Sequence, residues 1–164
     1  MEDQRKSGAL NIVKLCVGAD TIEDLAAWQA HVIAERRKAG QTPVPNHVTR
    51  MWPRREAEIM APEAGGRGGS LYWVIKGIIL VRQPILRFEE VMEDGIRRCA
   101  ITLDPALVRT EARPRRPFQG WRYLEAADAP RDLGPWRGGA PSAAQLPVHL
   151  EEALSSIGVL QPAG

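Results

Sequence analysis

Arginines and aromatic residues alternate between residues 113 and 124, in the segment RPRRPFQGWRYL, and again on a shorter scale in HVTRMWPRR at 47–55. Arginine holds phosphate, aromatic rings stack on bases, and a side-chain amide can read a base edge. This combination is typical of a surface for RNA or another single-stranded nucleic acid. The candidate binding residues are Arg50, Trp52, Arg54, Arg55, Lys76, Arg82, Arg115, Arg116, Gln119, Trp121, Arg122 and Tyr123.

Lys76 and Arg82 join this set although they lie in the most apolar part of the chain, LYWVIKGIILVRQ at 71–83. If the segment is one strand, alternate residues share a face, so the side from Leu71 to Val81 faces the core. Lys76 and Arg82 then lie on the other side and could form a cationic floor for an anionic ligand. The alternative is a lysine with its charge in water, paired with Glu56 or Glu58.

Basic residues are concentrated in two blocks. Residues 47–88 carry seven basic and three acidic groups, a net +4, and residues 97–122 carry seven arginines and two acids, a net +5. Four acids and no base lie between them at 89–96. We expect the two blocks to converge on one face, away from the acidic segment. The same face could instead dock an acidic protein partner, and the sequence leaves that alternative open.

None of the sequence motifs names a reaction. The three histidines, His31, His47 and His149, share no ligand spacing with each other or with the cysteines, so we predict no metal and no cofactor. There is no G-x-S-x-G motif, and GGRGGS at 65–70 precedes a predicted strand rather than a helix, unlike a phosphate-binding loop. A small enzyme of an unrecognised type is the third alternative.

The order of predicted elements indicates an α+β fold with a mixed, mostly antiparallel sheet curled toward a barrel. Asp20 is the predicted N-cap of the clearest helix, and Pro53 the first residue of the next. Asp94-Gly95 predicts a tight hairpin turn. We predict strands at 9–18, 47–52 and 71–83 (or two strands divided at Gly77), helices at 20–40 and 53–62, and an extended arm at 111–124. A single domain would span 9–124, followed by a loop-rich segment at 125–146 and a C-terminal helix at 147–160 packed on the domain.

Composition favours an ordinary globular protein, with 44% hydrophobic and 26% charged residues. No apolar run is long enough for a membrane helix, and the charged first residues do not resemble a signal peptide. We therefore expect a cytoplasmic protein without a membrane partner. Cys16 and Cys99 are then expected to be buried thiols rather than a disulfide.

Four segments together, IVKLCVG, HVTRMWPRR, GGSLYWVIKG and RPRRPFQGWRYL, resemble a family of bacterial proteins of about this length that is known only as a domain of unknown function. The resemblance covers roughly residues 9 to 124. The layout of PRREAEIM, GGRGGS and LYWVIKG is also similar to that of PUA-like domains, including the ASCH and EVE groups. That second resemblance implies a small curled β-barrel that binds RNA or modified bases in a cleft beside the helix.

Overall fold

The computed structural model describes residues 9–60 and 68–137, which form an α+β domain built on one eight-stranded sheet. The strands are β1 (Asn11–Leu15), β2 (Asn46–Thr49), β3 (Ser70–Ile75), β4 (Ile78–Glu93), β5 (Ile96–Leu103), β6 (Val108–Pro114), β7 (Trp121–Leu124) and β8 (Asp132–Pro135). The helices are α1 (Ile22–Lys38), α2 (Glu56–Met60) and a 3-10 turn at Ala126–Asp128. The predicted α+β class is confirmed, and no helix in this part of the chain could cross a membrane.

The sheet is mixed, mostly antiparallel and open. Its main path runs β2-β5-β4-β3-β1-β7, and only the β1–β3 pair is parallel among the strand pairs described. The long strand β4 pairs with β3 and β6 along its first half and with β5 along its second half. Strand β8 extends the sheet beyond β6. β4 therefore connects the two parts of the sheet.

Each face of the sheet carries a cluster of buried apolar side chains. On the face against which α1 and α2 pack, which we call the helix face, Ile12, Leu71 and Trp73 form one cluster with Leu25 of α1 and Ile59 of α2. On the opposite face, a second cluster contains Val13, Tyr72, Val74, Ile79 and Leu124. Every residue of β3 is consequently buried. The side predicted to face the core does so in β3, and the other side, which was predicted to be only partly covered, is buried as well.

Two dipeptides with positive φ make the tight turns that connect the central strands. Lys76 and Gly77 have φ of 51° and 80° and join β3 to β4, while Asp94 and Gly95 have φ of 51° and 76° and join β4 to β5. Positive φ at both central residues is the signature of a primed hairpin turn. The Asp94-Gly95 hairpin is confirmed. The single strand through Lys76 is wrong, and the alternative of two strands divided at Gly77 is correct.

The helices begin later than the sequence predicts. The N-cap of α1 is Thr21, whose hydroxyl accepts a hydrogen bond from the Asp24 amide at 3.1 Å, while the Asp24 carboxylate accepts the Thr21 amide at 3.1 Å. This reciprocal capping box satisfies two amides at once, which outweighs the predicted cap at Asp20. Helix α2 begins at Glu56 rather than at Pro53.

The segment after 124 contributes to the sheet. The predicted loop-rich region contains the 3-10 turn and β8 in its described part, so the domain extends beyond the predicted boundary at 124. The predicted helix at 147–160 lies outside the described residues. Cys16 and Cys99 are buried and free, as expected, and burial raises the pKa of both thiols to about 12.

Candidate functional site

The ring of Phe118 lies beside two guanidinium groups. The Cζ atoms of Arg115 and Arg122 are 5.4 Å and 5.3 Å from the centroid of the ring. Arg122 is held further by hydrogen bonds from its Nη1 to the carbonyl oxygens of Gln119, at 2.6 Å, and Trp121, at 3.0 Å. Phe118 itself packs against the cluster on the opposite face of the sheet. We call Arg115, Phe118 and Arg122 the arginine–Phe118 cluster.

The arginines of this cluster and the neighbouring Arg116 have no carboxylate partner in the described part of the chain. Within residues 9–60 and 68–137, Arg115, Arg116 and Arg122 form no ion pair with a carboxylate. Many other arginines of the two basic blocks do form such pairs. The net charge counted from the sequence therefore overstates the positive charge that is free to bind a ligand. The arginine–carboxylate pairs of the β4–β5 hairpin are Arg87–Glu89, Arg97–Glu90 and Arg98–Glu93.

The Lys76-Gly77 turn is adjacent to the cluster. The backbone amide of Arg115 donates to the carbonyl oxygen of Gly77 at 2.8 Å. The Lys76 side chain is 67% exposed, and its Nζ lies 3.8 Å from an Asp20 carboxylate oxygen, not beside the predicted glutamates of α2. The structure therefore brings three of the predicted residues together, Arg115, Gln119 and Arg122, while Lys76 meets them only through the backbone of its turn.

Trp121 and Tyr123 belong to the other face of the sheet. Tyr123 is the β-partner of Ile12 and Arg122 the partner of Val13, and these two β1 residues belong to different clusters. The Trp121 and Tyr123 rings are half-buried, 5.0 Å apart and edge-to-face. The prediction that these arginines and aromatic residues share one surface is therefore wrong, because neighbouring residues of a strand point to opposite faces.

The Arg55 side chain is held by contacts within the protein. Its guanidinium donates to Glu58 at 2.8 Å and 2.7 Å and to Glu125 at 3.0 Å, and it lies 5.2 Å from the centroid of the Tyr123 ring. Its backbone amide also donates to the Tyr123 hydroxyl at 3.0 Å. These contacts connect the start of α2 to β7, and two carboxylates balance the charge that was predicted to hold phosphate.

The remaining candidates of the 47–55 segment are exposed. The Trp52 indole N–H donates to the Glu56 carboxylate, and the Trp52 ring lies 6.4 Å from that of Phe88. Arg50 and Arg54 are exposed. Because Arg55 reaches the helix face at Tyr123 while Arg122 points to the opposite face, the predicted convergence of all these residues on one face does not hold.

Arg82 is not part of a surface. It is 3% exposed, its Nε and Nη2 donate to the Asp132 carboxylate at 2.8 Å and 2.7 Å, and its Nη1 donates to the Ser70 hydroxyl at 2.8 Å. The predicted cationic floor is therefore wrong at this position. The reason is β8, which was predicted as a loop and which supplies the carboxylate.

A polar group on the helix face was missed by the sequence analysis. Lys14 is the β-partner of Trp73 on one side and of Trp121 on the other, so the three side chains form one row across the sheet. The His47 ring lies 5.9 Å from that of Trp73 and edge-on to it. The available signal was the position of Lys14 in β1, where alternation from the buried Ile12 places a lysine on a core face.

Lys14 and His47 are both part-buried, and neither has a polar partner among the described residues. Burial lowers the pKa of the Lys14 amine from its ordinary value, an effect that the neighbouring Cys16 partly opposes. Burial, with a smaller effect from the Lys14 charge, lowers the pKa of His47 to about 3, so its imidazole is neutral. In the described part of the chain, neither side chain forms a hydrogen bond or an ion pair.

Comparison with known proteins gives a family but no activity. No curated protein and no solved structure matches the chain. Residues 12–160 match the model of a family described as "Protein of unknown function (DUF1489)", which agrees with the expected uncharacterised family. Because this match covers most of the sequence, the chain belongs to the DUF1489 family.

Proposed function

We propose that this protein binds single-stranded nucleic acid, RNA in particular, through the arginine–Phe118 cluster and the residues around it. The observation that carries the proposal is the pair of guanidinium groups over one aromatic ring, both without a carboxylate partner in the described residues. Cationic groups that the protein does not neutralise are the ones that can exchange counterions for phosphates.

The geometry suits a base and its backbone. Each guanidinium gains about 0.5–1 kcal/mol from an exposed ring contact, which orders its plane before a ligand arrives. A guanidinium plane held in this way can stack on an unpaired base. Arg116 is exposed beside the cluster and could contact phosphate, and the exposed amide of Gln119 could read a base edge.

The layout around β3 suits RNA as the class of ligand, although the helix of this layout lies on the face opposite the arginine–Phe118 cluster. The amide of Gly69 donates to the Ile59 carbonyl of α2 at 2.7 Å, so the end of this helix lies directly against the start of β3. A Cβ at Gly69 would lie 2.0 Å from the Leu10 carbonyl oxygen, which explains the glycine at this position. The arrangement is similar to the helix, glycine turn and strand of PUA-like domains. Binding of RNA would also fit the expected cytoplasmic location.

The test is fluorescence anisotropy with short labelled RNA and DNA strands over a series of salt concentrations. We expect the Arg115→Ala/Arg122→Ala double variant to bind more weakly and to lower the salt slope by about 1.4, because each phosphate that an arginine neutralises contributes about 0.7 to the slope. The matched control is Arg87→Ala/Arg97→Ala, which removes the same charge from arginines already paired with glutamates. It should bind nearly as well as the unaltered protein.

Two results would count against the proposal. Equal weakening in both double variants would indicate general charge attraction without a site. Failure of the unaltered protein to bind either nucleic acid would end the proposal, and binding of a polyglutamate peptide that depends on Arg115 and Arg122 would replace it with an acidic protein partner. Thermal melting of each variant verifies that weaker binding does not come from unfolding.

A further inference from the structure

Arg113 lies on the same face of the sheet as the arginine–Phe118 cluster, although it was not among the predicted binding residues. Its β-partner in β4 is Ile79, which belongs to the buried cluster on the face opposite the helix face, and Phe118 packs against that same cluster. The Nη1 of Arg113 donates to the carbonyl oxygen of Asp128 at 2.6 Å, next to Ala129 of the cluster. Strand register and side-chain contact therefore agree on this face.

The charge of Arg113 is not balanced by a carboxylate. Within residues 9–60 and 68–137 its guanidinium forms no ion pair. A guanidinium has five N–H donors, so the hydrogen bond to the Asp128 carbonyl leaves donors over and leaves the positive charge in place. Arg122 is held in the same way, by the carbonyl oxygens of Gln119 and Trp121. Both side chains are thus ordered by neutral groups and keep donors for a phosphate.

Two prolines favour an extended backbone in the segment that connects these arginines. Arg113 precedes Pro114 and Arg116 precedes Pro117, and a residue before proline is restricted to extended conformations. In an extended chain, residues two apart point to the same side and lie about 7 Å from each other. Arg113 and Arg115 are therefore neighbours on one side of this segment.

The three arginines form a line that runs across the strands. From Arg113 on β6 to Arg122 on β7, the neighbouring strands follow the order β6-β4-β3-β1-β7. Four steps at the usual spacing of paired strands span about 19 Å. Arg115 and the Phe118 ring lie between the two ends, because Arg115 is bonded to Gly77 before β4 and Phe118 contacts both Arg115 and Arg122. This line is longer than a single nucleotide.

We propose that the ligand of this face is an unpaired RNA strand of about four nucleotides that lies across the sheet, with its phosphates on Arg113, Arg115 and Arg122. The inference rests on the proposed function and adds Arg113 as a third phosphate contact. About four nucleotides is the lower end of the length that single-strand-binding folds cover. A free modified base would occupy the Phe118 neighbourhood and leave Arg113 without a contact, so the substrate class is an oligonucleotide.

The experiment is a competition assay. Unlabelled oligouridylates from one to about eight nucleotides displace a labelled strand of about eight nucleotides, and fluorescence anisotropy gives their affinities at one salt concentration. We expect affinity to rise at least about tenfold between two and four nucleotides, since the additional phosphate gains a charge-assisted contact, and to change little beyond that length.

Arg113→Ala should weaken binding of a strand of about four nucleotides about tenfold and lower its salt slope by about 0.7, the effects of one phosphate contact. The matched control is Arg109→Ala, which removes the same charge from the same strand. Arg109 is exposed, and its partner Val81 belongs to the cluster on the helix face, so this variant should bind normally. Arg113→Lys retains the charge and should recover the salt slope, whereas a merely structural role of the Asp128 contact would leave it lowered.

Full affinity of a folded Arg113→Ala protein for every length of strand would overturn the inference, and so would equal losses in Arg113→Ala and Arg109→Ala. Equal affinity for uridine monophosphate and for longer strands would confine the ligand to one nucleotide and overturn it as well. In each of these cases binding that depends on Arg115 and Arg122 would leave the proposed function intact. The proposed function fails separately, if the unaltered protein binds no strand of any length.

Discussion

The part-buried imidazole of His47 should make the protein less stable in mild acid. The pKa of His47 falls from 6.5 to about 3 on folding, because burial disfavours the charged ring and the Lys14 ammonium adds to the effect. Below pH 6.5, the ordinary pKa of histidine, the unfolded chain therefore binds more protons than the folded chain. The free energy of unfolding must decrease as pH falls from about 6.5 toward 3, and this decrease is absent well above 6.5.

The expected size follows from the two pKa values. At about pH 5 an unfolded imidazole is almost fully protonated and the folded one almost fully neutral, which costs about 2 kcal/mol relative to about pH 8. The size of this loss depends little on the pKa of His47 in the folded state, since the folded ring is already neutral at about pH 5. A decrease of about 2 kcal/mol is a large fraction of the roughly 5–15 kcal/mol that stabilises a typical domain.

The assay is urea unfolding at about pH 8 and pH 5. Carboxylates of the protein also titrate in this range, so the measured quantity is the difference between the unaltered protein and His47→Gln. The free energy of unfolding of the variant should fall by about 2 kcal/mol less on acidification. His31→Gln, on the exposed side of α1, is the matched control and should retain the full decrease.

Equal decreases for His47→Gln and the unaltered protein would refute this reasoning. So would an NMR titration of the folded protein in which the His47 ring takes up its proton near pH 6.5. Either result would mean that water reaches the ring freely and that folding does not lower its pKa.

Two further predictions concern stability. Asp132→Ala should cost about 3 kcal/mol in urea unfolding, because it leaves the Arg82 guanidinium buried without its carboxylate. Lys76→Ala, which breaks only an exposed ion pair, should cost about 0–1 kcal/mol, and equal costs would contradict the burial of Arg82. Gly69→Ala should destabilise the protein more than Gly77→Ala. A Cβ at position 69 would lie 2.0 Å from a backbone oxygen. A Cβ at position 77 would meet no other atom, and the only cost there is that alanine must adopt a positive φ. The Gly77 cost should be about 1–2 kcal/mol, and a Gly69→Ala protein of normal stability would disprove the close backbone approach.

Local signals in the sequence were sufficient for several elements. Asp94-Gly95 forms the predicted turn because few dipeptides tolerate positive φ at both positions. The apolar periodicity of 20–40 predicted α1 within two residues at each end. The capping residue was displaced by one position, because Asp20 and Thr21 are both good caps and only Thr21 has a partner three residues on that returns the hydrogen bond.

The candidate site was predictable only in part. The segment 113–124 contains the arginine–Phe118 cluster, yet Phe118 was not among the candidates and Trp121 was. The difference arises from strand register, since pairing with β1 places Arg122 on the opposite face and Trp121 on the helix face. Without that register, interleaved residues look like one surface.

By itself the sequence determined the fold class, the Asp94-Gly95 turn and the excess of arginine near residues 113–122, because these depend on residue type and on neighbours a few positions away. Only the tertiary structure decided which charges are free. Asp132 neutralises Arg82 from the far end of the described chain, and Trp73 and Trp121 flank Lys14 from two other strands. Such partners meet through strand pairing and burial of apolar surface, which are set by the whole chain rather than by local preference.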